Sequence, residues 1–212
     1  MQLDLFDDKK NRILGAKTYA DFKTELIQSD CTKCALSNSR THIVVDRGNP
    51  EAKVMFIGEA PGQNEDLQAK AFVGRAGQLL DQLMKDIGFD TNQDSIIVNV
   101  VKCRPPDNRA PLPKEVESCF PFLKKQIDLV KPRFILLLGA TALKHVISER
   151  KDFSMESQVG NFFTHTGYPG VDFMVLYHPA FILRDPRKKP LMIEHLKRFK
   201  EHWDKSRETN FS

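Results

Sequence analysis

Four short apolar runs rich in β-branched residues punctuate the chain: Val54–Ile57, Ile96–Val101, Phe134–Leu138 and Phe173–Tyr177. Each is hydrophobic almost continuously rather than at every second residue, as parallel strands buried on both faces are. Between them the apolar spacing changes to that of a helix. Leu79, Leu80, Leu83, Met84 and Ile87 share one face, as do Val116, Phe120, Leu123, Ile127 and Val130. A further short helix is predicted over Gly139–Ile147, and another over Tyr19–Gln28. Met192, Leu196, Phe199 and Trp203 mark the inner face of a closing helix. Strands that alternate with helices predict an α/β fold with a parallel sheet covered on both faces, here a central four-stranded, mainly parallel sheet. Such sheets bind ligands beyond the carboxyl ends of their strands. Three polar segments fall there: Gly58–Gly62 after the first strand, Asn99 near the end of the second, and His178-Pro179 after the fourth.

A length of 212 residues suits one compact domain, taken as residues 11–212 behind a flexible tail of residues 1–10. No apolar run approaches the ~20 residues that cross a bilayer. The first eight residues alternate acidic and apolar types and lack the basic start and apolar centre of a signal peptide, so the expected location is the cytoplasm. The net charge of +4 says little by itself. Its distribution says more: Arg184, Arg187, Lys188 and Lys189 follow the His-Pro pair, and Lys102, Arg104 and Arg109 surround a cysteine. Basic loops of this kind suit phosphate contacts, although a solvated surface has the same composition.

The four cysteines are Cys31, Cys34, Cys103 and Cys119. A reducing compartment disfavours two disulfides. The first pair has C-x2-C ligand spacing, and the second pair is separated by fifteen residues rather than repeating a zinc-ribbon knuckle. On spacing alone an iron–sulfur cluster, a zinc ion and unliganded thiols all remain open.

The segment Gly58-Glu59-Ala60-Pro61-Gly62 has two glycines that let backbone approach a ligand and a proline that stiffens the turn. It lacks the Lys-Ser/Thr ending of a phosphate-binding loop and the glycine spacing of a dinucleotide fingerprint. Phe72, in a loop before a helix, offers a face on which a planar base could stack. His178 at a strand end could give a hydrogen bond or a positive charge to a leaving group. The apolar tip Phe181-Ile182-Leu183 could enter a base stack while Arg184 grips phosphate.

Taken together, four segments closely resemble the family 4 uracil-DNA glycosylases: the Gly58 loop, Phe72-Val73-Gly74-Arg75-Ala76-Gly77-Gln78-Leu79-Leu80, Asn99-Val100-Val101-Lys102-Cys103-Arg104-Pro105-Pro106 and His178-Pro179-Ala180. The cysteine pattern matches too, and the resemblance runs from about Asp30 to Pro190 in family order. It implies a three-layer α/β/α sandwich and a 4Fe–4S cluster on Cys31, Cys34, Cys103 and Cys119. It also implies base-excision repair: uracil is flipped out of DNA and its N-glycosidic bond hydrolysed, leaving an abasic site. Glu59 would position or activate the attacking water and His178 would stabilise the departing uracil anion. The backbone at Ala60 would contact the base, Phe72 would stack on it, and Asn99 would read its polar edge. A related branch has an Asp where this chain has Ala60, which puts the weight on Glu59. Another branch traps the sugar through a histidine in an inserted loop; the matching segment, Arg104–Glu117, contains none, so turnover is expected.

The expected DNA contacts are Arg184, Lys188, Lys189 and Leu183, from a monomer. Gln2-Leu3-Asp4-Leu5-Phe6 resembles the short peptide by which bacterial proteins bind the replicative sliding clamp, with Leu5 and Phe6 filling an apolar pocket and Gln2 at its rim. Two competing readings are a non-catalytic nucleic-acid-binding module with a structural metal and a redox protein. Neither needs Glu59, Phe72, Asn99 and His178 around one pocket, so convergence of these four side chains is the discriminating observation.

Overall fold

The computed structural model describes residues 5–147 and 155–208, with the side chains of residues 5–8 left aside. In chain order the helices are α1 (Leu5–Gly15), α2 (Tyr19–Gln28), α3 (Gln63–Gln68), α4 (Arg75–Asp86), α5 (Pro113–Val130), α6 (Ala140–Val146), α7 (Met155–Gln158), α8 (Pro179–Arg184) and α9 (Lys189–Glu208). The strands are β1 (Arg47–Gly48), β2 (Val54–Gly58), β3 (Ser95–Asn99), β4 (Phe134–Leu138), β5 (Phe162–Thr164) and β6 (Asp172–Leu176).

They form one sheet in the order β1-β3-β2-β4-β6-β5. The four expected strands make its parallel centre, with Met55 opposite Ile96 and Ile135, and Ile135 opposite Phe173. Two short antiparallel strands extend the edges, β1 on β3 and β5 on β6. The sheet is therefore six-stranded rather than four-stranded. The added strands have two and three residues, too few for any periodicity to register.

Alternation along each strand sorts the core into two halves. Met55, Ile57, Ile96, Val98, Ile135, Leu137, Phe173 and Val175 face Phe22 and Leu26 of α2, Phe122, Leu123 and Ile127 of α5, and Leu143 of α6. Val54, Phe56, Ile97, Phe134, Leu136, Leu138 and Met174 face Leu80 and Leu83 of α4 and Met192, Leu196 and Phe199 of α9. Both strand faces are dry, so β2, β3 and β4 are buried throughout, and this explains their unbroken apolar runs. The molecule is thus a three-layer α/β/α sandwich.

The second apolar run overshoots its strand. Beyond Asn99 the chain leaves β3, and the Val100 and Val101 amides donate to the carbonyls of Gly58 and Glu59 at 2.9 and 3.2 Å. These bonds lock the turn after β2 against the end of β3. Because β3 and β4 lie on opposite sides of β2, the chain reverses its direction of travel across the sheet at β2. A crevice opens at such a switch point, at the carboxyl ends of the strands.

At the amino end, helix α1 already begins at Leu5, and Lys9 Nζ donates to the Ser29 carbonyl at 3.1 Å. The tail expected over residues 1–10 is therefore helical through its second half, tied to the end of α2. Among the described residues, no helix is long and apolar enough to cross a membrane.

Candidate active site

A cavity of about 610 Å³ occupies the switch point, within the usual size range of small-ligand sites. Glu59, Ala60, Phe72 and His178 all line it, brought from three segments of the chain. Arg184 lines it as well.

Gly58 explains how the floor closes. A Cβ on this residue would stand 2.5 Å from the Phe72 ring and 2.6 Å from Asn99 Oδ1, so only glycine lets ring and amide lie over the strand end. Phe72 itself has φ +54°, a left-handed conformation costly for a bulky residue. Gly77, in the first turn of α4, accommodates it: a Cβ there would lie 1.8 Å from the Phe72 carbonyl oxygen. The carboxylate of Glu65 completes the brace, accepting the Gly74 N–H at 2.7 Å.

Asn99, the last residue of β3, lies behind the lining residues and is almost wholly buried. Among the described residues, neither its Nδ2 nor its Oδ1 has a hydrogen-bond partner. An unpaired buried amide costs on the order of 1–3 kcal/mol or more, so native proteins rarely keep one without a reason. The amide lies beside the Phe72 ring, beneath the cavity lining.

His178 caps α8, and its Nδ1 accepts the Ala180 N–H at 3.1 Å. Burial, aided by the charge of Arg184, holds the imidazole down at about 4. The ring is therefore neutral near pH 7, and with Nδ1 occupied as an acceptor its proton sits on Nε2. Of the two chemistries expected of His178, the neutral ring favours the hydrogen bond over the positive charge. The Phe72 and His178 ring centroids are 5.7 Å apart.

The carboxylate of Glu59 accepts a hydrogen bond from the Thr141 hydroxyl, which reaches over from the first turn of α6. Thr141 and Glu65 were not legible as site residues. Thr141 stands only three residues beyond the last residue of β4, and this placement was the one available signal.

The two basic segments diverge. Lys102 is fully buried and Nζ donates to the Asn99 carbonyl at 2.6 Å; it makes no phosphate contact, contrary to the expectation from its charged neighbours. Arg109 is held by two hydrogen bonds to the Glu115 carboxylate, and Arg104 donates to Asn108. On the other side, Leu183 is exposed, Ile182 is buried and Phe181 packs on Tyr177 with centroids 5.4 Å apart. Of the three apolar tip residues, Leu183 alone is free to enter a stack. Lys188 lies near the same Tyr177 ring, 6.0 Å from its centroid, and Lys189 opens α9.

Cys31, Cys34, Cys103 and Cys119 converge on a second, small cavity, together with Arg40 and Lys102. None is in a disulfide. The Lys102 N–H donates to Cys119 Sγ at 3.3 Å and Arg40 reaches Cys103 Sγ at 3.7 Å. Burial pushes the Cys103 thiol up to about 12 and the Cys119 thiol up to about 11. Among the described residues, no three His, Cys, Asp or Glu side chains gather at the spacing of a single metal ion. Gln2 of the clamp-like peptide lies outside the described residues, as do the side chains of Leu5 and Phe6.

Comparison with known proteins agrees with this geometry. The model of the uracil DNA glycosylase superfamily matches residues 45–205. The chain is 40% identical to a type-4 uracil-DNA glycosylase of Sulfurisphaera tokodaii, over 84% of this chain and 82% of the relative. It is 42% identical to one of Thermotoga maritima, over 73% and 79%. It is 36% identical to one of Archaeoglobus fulgidus, over 85% and 92%. Type-5 enzymes match less well, at 26% identity to one of Thermus thermophilus over 62% of this chain. With its motifs gathered around one crevice and these relatives aligned over most of its length, the chain belongs to the uracil DNA glycosylase superfamily as a type-4 uracil-DNA glycosylase.

Proposed function

We propose that the cavity receives a uracil flipped out of DNA and that Glu59, Asn99 and His178 carry out its recognition and hydrolytic release. A base in the stack is out of reach, so it must be extruded. Phe72 then offers a stacking face. The Asn99 amide meets the uracil edge, with Nδ2 donating to O4 and Oδ1 accepting from N3–H; cytosine presents the opposite pattern at these two positions. The unpartnered, buried amide of Asn99 is the observation that carries this reading.

Cleavage places positive charge on the sugar and negative charge on the base. The Glu59 carboxylate favours the first and orients a water molecule toward C1′. As the water oxygen bonds to C1′, the C1′–N1 bond breaks and its electron pair leaves with the uracil. The released water proton passes to the carboxylate. His178 stays neutral and donates from Nε2 to the oxygen on which the charge collects, while backbone around Ala60 adds N–H dipoles. Such preorganised donors act without any proton transfer from the imidazole.

Cys31, Cys34, Cys103 and Cys119 hold the 4Fe–4S cluster in this reading. The donor set fits: all four thiols line one cavity, with N–H donors on Cys103 and Cys119. When bound, the cluster supplies a cross-link among the segment before β1, the turn after β3 and α5; uracil release itself transfers no electron.

Arg184, Lys188 and Lys189 contact phosphate and Leu183 enters the gap left by the flipped base. Gln2, Leu5 and Phe6 dock on the replicative sliding clamp. The enzyme works as a monomer in the cytoplasm, its catalytic domain spanning residues 11–212 behind the clamp-binding tail. Incubation with a uracil-containing oligonucleotide followed by alkali tests the core of the proposal. Strand cleavage at the uracil position is the expected result, and an intact strand under all conditions would overturn it.

A further inference from the structure

The Thr141 hydroxyl is the single hydrogen-bond donor on the Glu59 carboxylate among the described residues. A threonine in a helix ordinarily turns its hydroxyl to the carbonyl one turn back or to solvent. Thr141 instead reaches across to the turn that follows β2. Its β-branched side chain is stiff at χ1, and it sits in the first turn of α6, directly after the strand that pairs with β2. A glutamate side chain has three free torsions, so a carboxylate meant to orient one water must be held by something outside itself.

Resting on the assignment of Glu59 above, we propose that Thr141 is a positioning residue for the glycosylase reaction. Its hydroxyl occupies Oε2 and leaves Oε1 to hold the attacking water. A carboxylate accepts and never donates, so the bond needs the hydroxyl proton and no other group of similar size supplies it except serine. Besides Glu59, the charged and titratable groups lining the same cavity are Glu65, Arg109, Glu156, Tyr177, His178 and Arg184, and His145 lies on α6, one turn beyond Thr141, within electrostatic reach of Glu59.

The test uses the purified full chain with its cluster. Thr141→Val should lower kcat about tenfold to a hundredfold, the effect of one lost hydrogen bond to a charged group, with KM little changed. Thr141→Ser should restore most of kcat. Adding Thr141→Val to Glu59→Gln should slow the enzyme no further than Glu59→Gln alone. Wild-type kcat in Thr141→Val, or a Thr141→Ser enzyme as slow as Thr141→Val, would overturn the proposal. Should Thr141→Val not fold, as judged by its melting transition, the contrast of Thr141→Ala with Thr141→Ser is read by the same criteria. Glu59→Gln turning over like wild type would instead sink the assignment of Glu59, a different failure from a silent Thr141.

Discussion

Two cavities begin where β3 ends, and they treat their polar atoms in opposite ways. Asn99 lies behind the lining of the first, with an amide that has no partner among the described residues. Four residues later Cys103 enters the second, where Arg40 and the Lys102 amide are already packed onto sulfur. Under the proposed function, the first site takes a transient partner and the second a resident one. An orphaned group costs stability in the free protein and recovers it only on binding, which is useful where selectivity matters. Pre-packed donors stabilise a charge that stays.

The sharpest attack on this contrast is Glu59→Ala. Uracil-DNA binding should survive while kcat falls on the order of 100-fold to 1,000-fold, measured by single-turnover kinetics; unchanged turnover would remove Glu59 from the reaction. Next in size is Cys103→Ala. It should lose the yellow-brown colour of the anaerobically purified protein and melt at lower temperature. Wild-type colour and melting would refute this ligand. Asn99→Asp should then narrow the preference for uracil over cytosine, because a carboxylate accepts from the cytosine amino group and cannot donate to the uracil O4. Equal discrimination in competition assays would mean that the amide does not read the base.

Acid should separate the cavities more gently. His178 binds its proton near pH 4 in the folded protein, against about 6.5 in an unfolded chain. In that window the unfolded state takes up more protons, so the contribution of His178 to stability is complete above about 6.5 and fades as pH falls toward 4. Thermal melts of wild type and His178→Gln should converge on acidification over this range; parallel curves would show that the imidazole is not held neutral. The smallest effect belongs to Lys188→Ala, which should weaken binding uniformly across sequences and reduce the salt slope by about 1. An unaltered slope would take Lys188 off the phosphate path.

Much of the fold could be read from the sequence because the central strands are dry on both faces. Continuous burial writes an unbroken apolar run, as in Val54–Ile57 and Phe134–Leu138. β1 and β5 left no such trace, since a two-residue or three-residue strand at an edge is specified by its neighbour's free hydrogen bonds. The candidate site residues stood out where chemistry restricts the residue type: a histidine after a strand, an asparagine at a strand end, an aromatic before a glycine-rich turn. Thr141 and Glu65 are types found on any surface, and only the fold brings them to Glu59 and Gly74. Lys102 misled for a related reason. A lysine among arginines suggests solvent, yet the flanking Val100, Val101 and Cys103 are all buried and carry it inward. Its ammonium ends beneath the carbonyl of Asn99.

The seat of Phe72 on Gly77 exists before any nucleic acid arrives. The cost of holding an aromatic in a left-handed backbone is therefore borne once, during folding, and not again at each encounter with a damaged strand. A rigid platform of this kind does not remodel itself to suit the wrong guest, so in the proposed reading part of the discrimination among bases is shape already present in the resting enzyme.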